Sequence, residues 1–115
     1  MAERRMFSTR VVCTDKFTSM PERAQCLYFQ LVMHADDDGF ISSPRSVLYA
    51  VRCDEEDLAV LAEAKLIYIF SSGVIVIRHW NAQNKVRKAL YCPTVCEEER
   101  DLLTVLPNGL YTFTN

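Results

Sequence analysis

The sequence predicts a small domain of the α+β class, and three observations carry this prediction. Residues 66–80 contain two runs of β-branched and aromatic residues around Ser71-Ser72-Gly73, which is the signature of a β-hairpin. Amphipathic segments with helix-start signals precede this hairpin. A two-stranded ribbon is only marginally stable in water, so we expect the helices to pack on it.

The composition is that of one soluble domain, spanning residues 1–115. Half of the residues are hydrophobic and 24% are charged, as in ordinary globular proteins. No apolar run is long enough for a membrane helix and no signal-peptide pattern occurs, so we expect a cytoplasmic protein with no membrane partner. The five cysteines are irregularly spaced, which favours reduced thiols, with Cys26 and Cys53 buried in helices. We expect neither a metal nor a cofactor.

The N-terminal part contains the first long helix. Residues 7–13 are predicted as a short helix or a short strand. Ser19-Met20-Pro21-Glu22 has the pattern of a capping box, which predicts a helix over residues 20–35. Apolar residues at 3.6-residue spacing form its core face: Ala24, Leu27, Tyr28, Leu31 and Ala35.

Three consecutive acids follow this helix, in Asp36-Asp37-Asp38-Gly39. Clustered carboxylates suggest Ca²⁺ or Mg²⁺, but a calcium-binding loop needs ligands at alternate positions and a closing Glu. Those features are missing here. The segment is therefore predicted as a tight turn, with Gly39 supplying a positive φ.

Two more helices are predicted before the hairpin. Phe40-Ile41 is a short strand that would join the hairpin as a third member. Ser43-Pro44 begins the second helix, and Asp54 caps a third helix over residues 54–65. Their inward-facing residues are predicted to be Val47, Leu48, Val51, Leu58, Leu61 and Ala62.

The C-terminal part is less regular. Residues 81–91 are polar and basic, which favours a loop. Residues 97–106 begin with acids and are predicted as an extra C-terminal helix. Residues 107–109 form a turn, and residues 110–114 are either a last strand or the start of a linker.

Helix, short strand, helix, helix and hairpin is the order of a winged helix-turn-helix domain. The fold predicted is thus α+β, with three main helices, a small antiparallel β-hairpin sheet and an extra C-terminal helix. In that fold the third helix would enter the DNA major groove, where Arg, Lys, Asn and Gln are the usual contact residues. Here its first turn carries four acids, Asp54 to Asp57, which would repel phosphate.

Basic residues outside the third helix are therefore the candidates for DNA contact. Residues 78–91 contain four basic residues and no acid, although the chain as a whole has a net charge of −2. An ordinary solvated surface is the alternative interpretation. The candidates are Arg4, Arg5, Arg45, Arg52, Arg78, Lys85, Arg87 and Lys88.

A second hypothesis is an oligomerisation or protein-interaction module. Phe29 and Met33 lie four residues apart on the first long helix, where they extend the core stripe or form a partner surface. Tyr68 and Ile69 of the hairpin complete this candidate interface. The hypothesis implies a homodimer, and a symmetric dimer could also bind paired DNA half-sites. A transcription regulator is a third possibility, which the acidic third helix disfavours.

Over residues 4–100 the chain resembles the N-terminal domain of the phage replisome-organiser (replication-initiator) family, whose fold is DnaD-like. The resemblance lies in the order and spacing of several short segments. These are Met20-Pro21, Ala24-Gln25, Leu27-Tyr28-Phe29, Ala35 to Phe40, Pro44, Asp57-Leu58, Gly73 to Ile77, His79-Trp80, Arg87-Lys88 and Pro93-Thr94-Val95. The chain departs from the family pattern over residues 88–96, where two basic positions and one aromatic are missing.

The resemblance implies a DNA-binding protein of phage or prophage replication initiation in the bacterial host cytoplasm. Its implied partners are origin DNA, double- or single-stranded, and host helicase-loading proteins. Family members usually carry a second domain, so this chain is either an N-terminal fragment of a longer initiator or a short stand-alone version. No nucleophile–base pattern, phosphate-binding loop or dinucleotide fingerprint is present, so we expect a non-enzyme.

Overall fold

Seven helices and five strands are formed by residues 3–114, the part of the chain that this computed structural model describes. Together they make a mixed α+β fold. The helices are α1 (Thr9–Val12), α2 (Asp15–Thr18), α3 (Glu22–His34), α4 (Pro44–Val51), α5 (Glu55–Glu63), α6 (Trp80–Gln83) and α7 (Glu97–Arg100). The strands are β1 (Phe40–Ile41), β2 (Ile67–Ile69), β3 (Ile75–Ile77), β4 (Leu103–Val105) and β5 (Tyr111–Phe113). None of the helices in these residues is long and apolar enough to cross a membrane.

The longest helix, α3, has the predicted core face but a different start. Ala24, Leu27, Tyr28 and Leu31 are fully buried. The predicted capping box is wrong: Ser19 ends α2 and its hydroxyl donates to the Lys16 carbonyl (3.2 Å). Pro21 occupies the cap position with ψ 144°. That extended backbone keeps residues 19–21 outside the helix, so no side chain caps it.

The next two helices begin where the sequence predicts. Pro44 is the first residue of α4, as expected for proline, whose missing N–H has no helical partner there. In α5, the Asp54 carboxylate accepts from the Glu56 and Asp57 amides, and the Asp57 carboxylate accepts from the Asp54 amide (3.0 Å). This reciprocal capping box satisfies donors that a helix start otherwise leaves free. The predicted core residues Leu58 and Leu61 are buried.

The predicted hairpin and its third strand are confirmed. The sheet is antiparallel in the order β1-β3-β2, with Val76 opposite both Phe40 and Tyr68. The turn closes through the Gly73 amide, which donates to the Phe70 carbonyl (2.9 Å). The central strand β3 is buried on both faces, whereas Ile69 on the edge strand β2 is 45% exposed.

The predicted C-terminal helix over residues 97–106 is wrong. The acidic start forms only the single turn α7, after which β4 and β5 pair as a second hairpin around the Asn108-Gly109 turn. Packing explains the difference, because Phe113 of β5 lies against the rings of Tyr68 (4.9 Å between centroids) and Phe70 (5.7 Å). Burying these aromatic faces favours strand over the helix that the glutamates indicate.

The N-terminal segment is helical and is attached to α6. The segment predicted as helix or strand contains α1. The Met6 amide donates to the Asn84 side chain (2.8 Å), whose amide donates back to the Met6 carbonyl (3.2 Å). The Ser8 amide donates to Gln83, which in turn donates to the buried Tyr28 hydroxyl (3.0 Å). All five cysteines are free thiols, and Cys26, predicted to be buried, is exposed on α3.

Gly39 is expected to be much less tolerant of substitution than Gly73. Both have a φ near +90°, but a Cβ on Gly39 would lie 2.5 Å from Cγ of the buried Trp80 ring, whereas one on Gly73 meets nothing within 4 Å. Gly39→Ala should therefore lower the free energy of unfolding by about 3 kcal/mol, through strain plus overpacking. Gly73→Ala should lower it by only about 1 kcal/mol, through strain alone. Urea unfolding of the two variants checks this, and equal losses would contradict it.

Stability should fall between about pH 10 and pH 12 because of buried phenols. Burial raises the pKa of Tyr28 to about 12, despite the opposing hydrogen bond from Gln83. The neutral phenol is therefore favoured in the folded state. Its contribution to the free energy of unfolding is complete below the pKa of the unfolded state, about 10, and is lost as the pH rises through the pKa of the folded state. About 3 kcal/mol is at stake for Tyr28. Alkaline unfolding curves of Tyr28→Phe should be flatter than those of the exposed-site control Tyr49→Phe; indistinguishable slopes would refute this.

Candidate nucleic-acid interface

Residues 36–39, here named the acidic turn, form the tight turn predicted from the sequence. One Asp36 carboxylate oxygen accepts from the amides of Asp38 (2.9 Å) and Phe40 (3.0 Å). Its other oxygen accepts from the Thr94 hydroxyl. Gly39 has the predicted positive φ of 89°. The turn therefore connects α3 to the sheet and also holds a distant part of the chain.

Asp37 is buried and is paired with the N-terminal segment. Its carboxylate lies 3.2 Å from the Arg5 guanidinium and accepts from the Cys92 amide (3.0 Å). Its carbonyl accepts from the Trp80 indole N–H (2.9 Å). The Arg5 guanidinium also lies 5.0 Å from the centre of the Trp80 ring, in a cation–π contact.

Asp38 is also buried, and it binds the two C-terminal segments. The Tyr91 hydroxyl lies 2.8 Å from both of its carboxylate oxygens, and the Thr94 amide donates to one of them (2.8 Å). The Tyr111 hydroxyl of β5 donates to the Asp38 carbonyl (2.7 Å). Burial and the hydrogen bond to Asp38 raise the pKa of Tyr91 to about 12, because both favour the protonated phenol.

These contacts remove Arg5 from the predicted DNA-binding residues. Its side chain is only 2% exposed, and it donates to the Ala35 carbonyl as well as to Asp37. A guanidinium held in this way is not available to a phosphate group. Arg4, its neighbour in the sequence, is exposed.

Residues 85–91, here named the basic loop, carry the other exposed candidates. Lys85, Arg87 and Lys88 are all exposed, and the loop is fixed at both ends: by Asn84, which bonds the backbone of Met6, and by the acidic turn. Its middle forms a turn in which the Leu90 amide donates to the Arg87 carbonyl (2.8 Å). The pairing of Asn84 with Met6 holds the N-terminal segment beside the start of the loop. Arg4 therefore belongs to the same basic region.

The remaining basic candidates lie elsewhere. Arg45 lines a cleft of about 670 Å³ between α4, α5 and the hairpin turn, opposite the acid Glu55. Arg52 ends α4 in the left-handed region, where its carbonyl accepts from Arg23 (3.0 Å). Arg78 is half-buried at the base of the hairpin, where its guanidinium donates to the Lys65 carbonyl (3.3 Å). The eight predicted residues therefore do not form one surface.

The predicted protein interface is also divided. Successive residues of a strand point to opposite faces, so Tyr68 and Ile69 cannot belong to one surface. Tyr68 is covered by Phe113 and donates to the Tyr111 carbonyl (3.2 Å), whereas Ile69 lines the cleft beside α4 and α5. On α3, Met33 is 45% exposed.

Phe29 is partly covered by the protein itself. Its ring makes edge contacts with Phe7 (5.1 Å between centroids) and Phe17 (5.6 Å), and it is 36% exposed. Most of the Phe29 side chain therefore packs against the protein itself, as the core-stripe interpretation expects.

Sequence reasoning overlooked the partners of the acidic turn. Tyr91, Thr94 and Tyr111 carry no local pattern that links them to residues 36–38.

Within residues 3–114, no group of three or more His, Cys, Asp or Glu side chains is arranged to hold a metal ion. Comparisons with protein-family models, curated proteins and solved structures returned no match.

The same substitution should have very different effects on stability at the neighbours Arg4 and Arg5. Arg5→Gln leaves the Asp37 carboxylate buried without its cation and should lower the free energy of unfolding by about 3 kcal/mol. Arg4→Gln changes an exposed side chain and should shift it by less than about 0.5 kcal/mol. Chemical denaturation of both variants checks this; a loss in Arg4→Gln as large as that in Arg5→Gln would be the contrary result.

Proposed function

We propose that this chain is a nucleic-acid-binding domain with a winged helix-turn-helix architecture, and that its role is binding rather than catalysis. The order α3, β1, α4, α5, β2, β3 supports the architecture, as does the sheet order β1-β3-β2. In this arrangement the β2–β3 hairpin is the wing and α5 occupies the place of the recognition helix.

The chemistry of α5 argues against contact through that helix. Its first turn contains Glu55, Glu56 and Asp57, and the basic residue beside it, Arg23, is already paired with Asp57 (3.2 Å) and Asp54 (3.8 Å). Phosphates approaching this end of α5 would meet uncompensated carboxylates. The contact must therefore be made by a different part of the surface.

The basic loop is the observation that carries the proposal. Three exposed cations lie within four residues, Arg4 lies on the adjacent N-terminal segment, and the described ion pairs involve none of these four side chains. Fixed ends and free cationic side chains suit contact with a phosphate backbone, which positions a protein without reading base sequence.

The biological setting is proposed from the resemblance to the phage replisome-organiser family. On that basis the nucleic acid is a phage or prophage replication origin, and the domain helps to recruit host helicase-loading proteins. The acidic turn, Pro93-Thr94 and the hairpin ending His79-Trp80 are among the segments that carry the resemblance. The acidic turn and Thr94 are bonded to each other, so these two separated segments form one structural unit.

A binding titration with labelled duplex and single-stranded DNA tests the proposal. The variant Lys85→Gln/Arg87→Gln/Lys88→Gln should bind more weakly at low salt. The slope of log affinity against log salt should decrease by about 3, since each lost phosphate contact removes roughly one unit. All three positions are exposed, so the free energy of unfolding should be nearly unchanged.

The charge-conserving variant Lys85→Arg/Arg87→Lys/Lys88→Arg is the matched control, and it should retain both affinity and salt slope. Arg4→Gln should reduce the slope by about one unit. If the wild-type chain binds neither form of DNA at low salt, the proposed function fails. If it binds but the two triple variants behave alike, the basic loop is not the contact.

A further inference from the structure

A small pocket of about 170 Å³ lies at the base of the β2–β3 hairpin, and no residue of the basic loop lines it. Its lining includes the apolar residues Val11, Ala64 and Leu66. Four of its six polar lining residues are Lys or Arg, and the six come from three separate parts of the chain. These residues are Arg10, Thr14, Lys16, Lys65, Arg78 and His79, here named the basic pocket.

The positive charge of this pocket has no counterion in the described part of the chain. Four of the thirteen Lys and Arg residues line it, and none of the fifteen acids does, although the protein is net negative. The ion pairs formed by residues 3–114 join other residues: Arg5 to Asp37, and Arg23 to Asp54 and Asp57. Concentrated like charge of this kind attracts anions.

Two polar atoms of the pocket residues are buried without a hydrogen-bond partner in residues 3–114. They are Nε of Arg78 and Nδ1 of His79. Burial, Arg78 and Lys16 together lower the pKa of His79, as expected for an imidazole in a cationic environment. Buried polar groups in proteins are nearly always paired, so both atoms lack the partner that such groups usually have.

Lys65 has an unusual backbone for its residue type. It follows the end of α5 with a φ of 60°, the left-handed position at which helices usually place glycine. The Leu66 amide closes the helix end by donating to the Leu61 carbonyl (3.1 Å). A lysine here is strained where glycine would not be, as is Arg52 at the end of α4.

We propose that the basic pocket binds a phosphate group. Pockets that enclose a whole small molecule measure about 300–1,000 Å³, so this one suits a single group rather than a nucleoside. A phosphate accepts several charge-assisted hydrogen bonds, which matches the guanidinium, ammonium and Thr14 hydroxyl donors better than a lone carboxylate does. The group is supplied either by free phosphate or pyrophosphate or by a polynucleotide backbone. The site does not depend on DNA contact through the basic loop.

The imidazole of His79 provides the test, with His34 as an internal control. The ring of His34 is exposed on α3, outside the basic pocket. Titration of the full chain with inorganic phosphate and with pyrophosphate, followed by NMR of both rings, should move the His79 signals in a saturable way and raise its pKa. Lys16, Arg10, Lys65 and Arg78 line the same pocket, and a bound anion screens their charges. The His34 signals should stay in place.

Two variants separate a binding role from a structural one. Lys16→Gln should weaken binding about fivefold, the loss of one charge-assisted contact at an exposed side chain. Lys65→Gly should weaken it similarly without reducing stability, because glycine tolerates the left-handed backbone. Lys85→Gln, in the basic loop, should leave the affinity for phosphate unchanged.

The NMR titrations distinguish the two sources of phosphate from the failure of the inference. If duplex DNA moves His79 and free phosphate does not, and Lys16→Gln abolishes the movement, the source of the phosphate is a polynucleotide. If potassium chloride at equal ionic strength moves His79 as much as phosphate does, or if neither phosphate nor DNA moves it, the inference is overturned. DNA binding lost in the basic-loop variant would still support the proposed function in that case.

Discussion

The structure depends on giving partners to the carboxylates of the acidic turn. Asp37 and Asp38 are buried, and a carboxylate taken out of water is costly unless hydrogen bonds and countercharges replace its hydration. The carboxylate partners come from two separate places, Arg5 near the N-terminus and Tyr91 to Thr94 after α6, while Tyr111 in β5 donates to the Asp38 carbonyl. One four-residue turn therefore determines where the N-terminal segment, the basic loop and the second hairpin attach to the α3–β3 core.

This arrangement connects the structural and the candidate functional residues. The basic loop is held at its ends by Asn84, which bonds the Met6 backbone, and by Tyr91, which bonds the buried Asp38. Its three cations lie between these two fixed points. Positive charge is divided accordingly: Arg5 neutralises a buried acid, while Arg4 and the loop remain exposed. An acidic protein can present locally basic surfaces in this way, because part of its negative charge is enclosed among its own donors.

Short sequence patterns predicted the elements that depend on interactions between neighbouring residues. The β2–β3 hairpin, the Asp54 cap, Pro44 at the start of α4 and the Gly39 turn were all predictable, because a few neighbouring residues decide each of them. Long-range contacts could not be predicted in the same way. Nothing in the sequence separates Arg4 from Arg5, since their difference depends on Asp37. The glutamates of α7 indicate a helix that aromatic packing against β5 replaces with strand.

The acidic turn also sets an order for folding during synthesis. Arg5, Tyr91 and Tyr111 lie 32, 53 and 73 positions from the aspartates to which they bond, and both tyrosines follow the turn in the chain. Until Tyr91 and Thr94 have been synthesised, the Asp38 carboxylate lacks both of these partners and stays hydrated only by remaining open to water. The residues of α3, α4, α5 and the β2–β3 hairpin all precede Tyr91 in the chain. Closure of the acidic turn therefore depends on residues that are translated after the core to which the turn belongs.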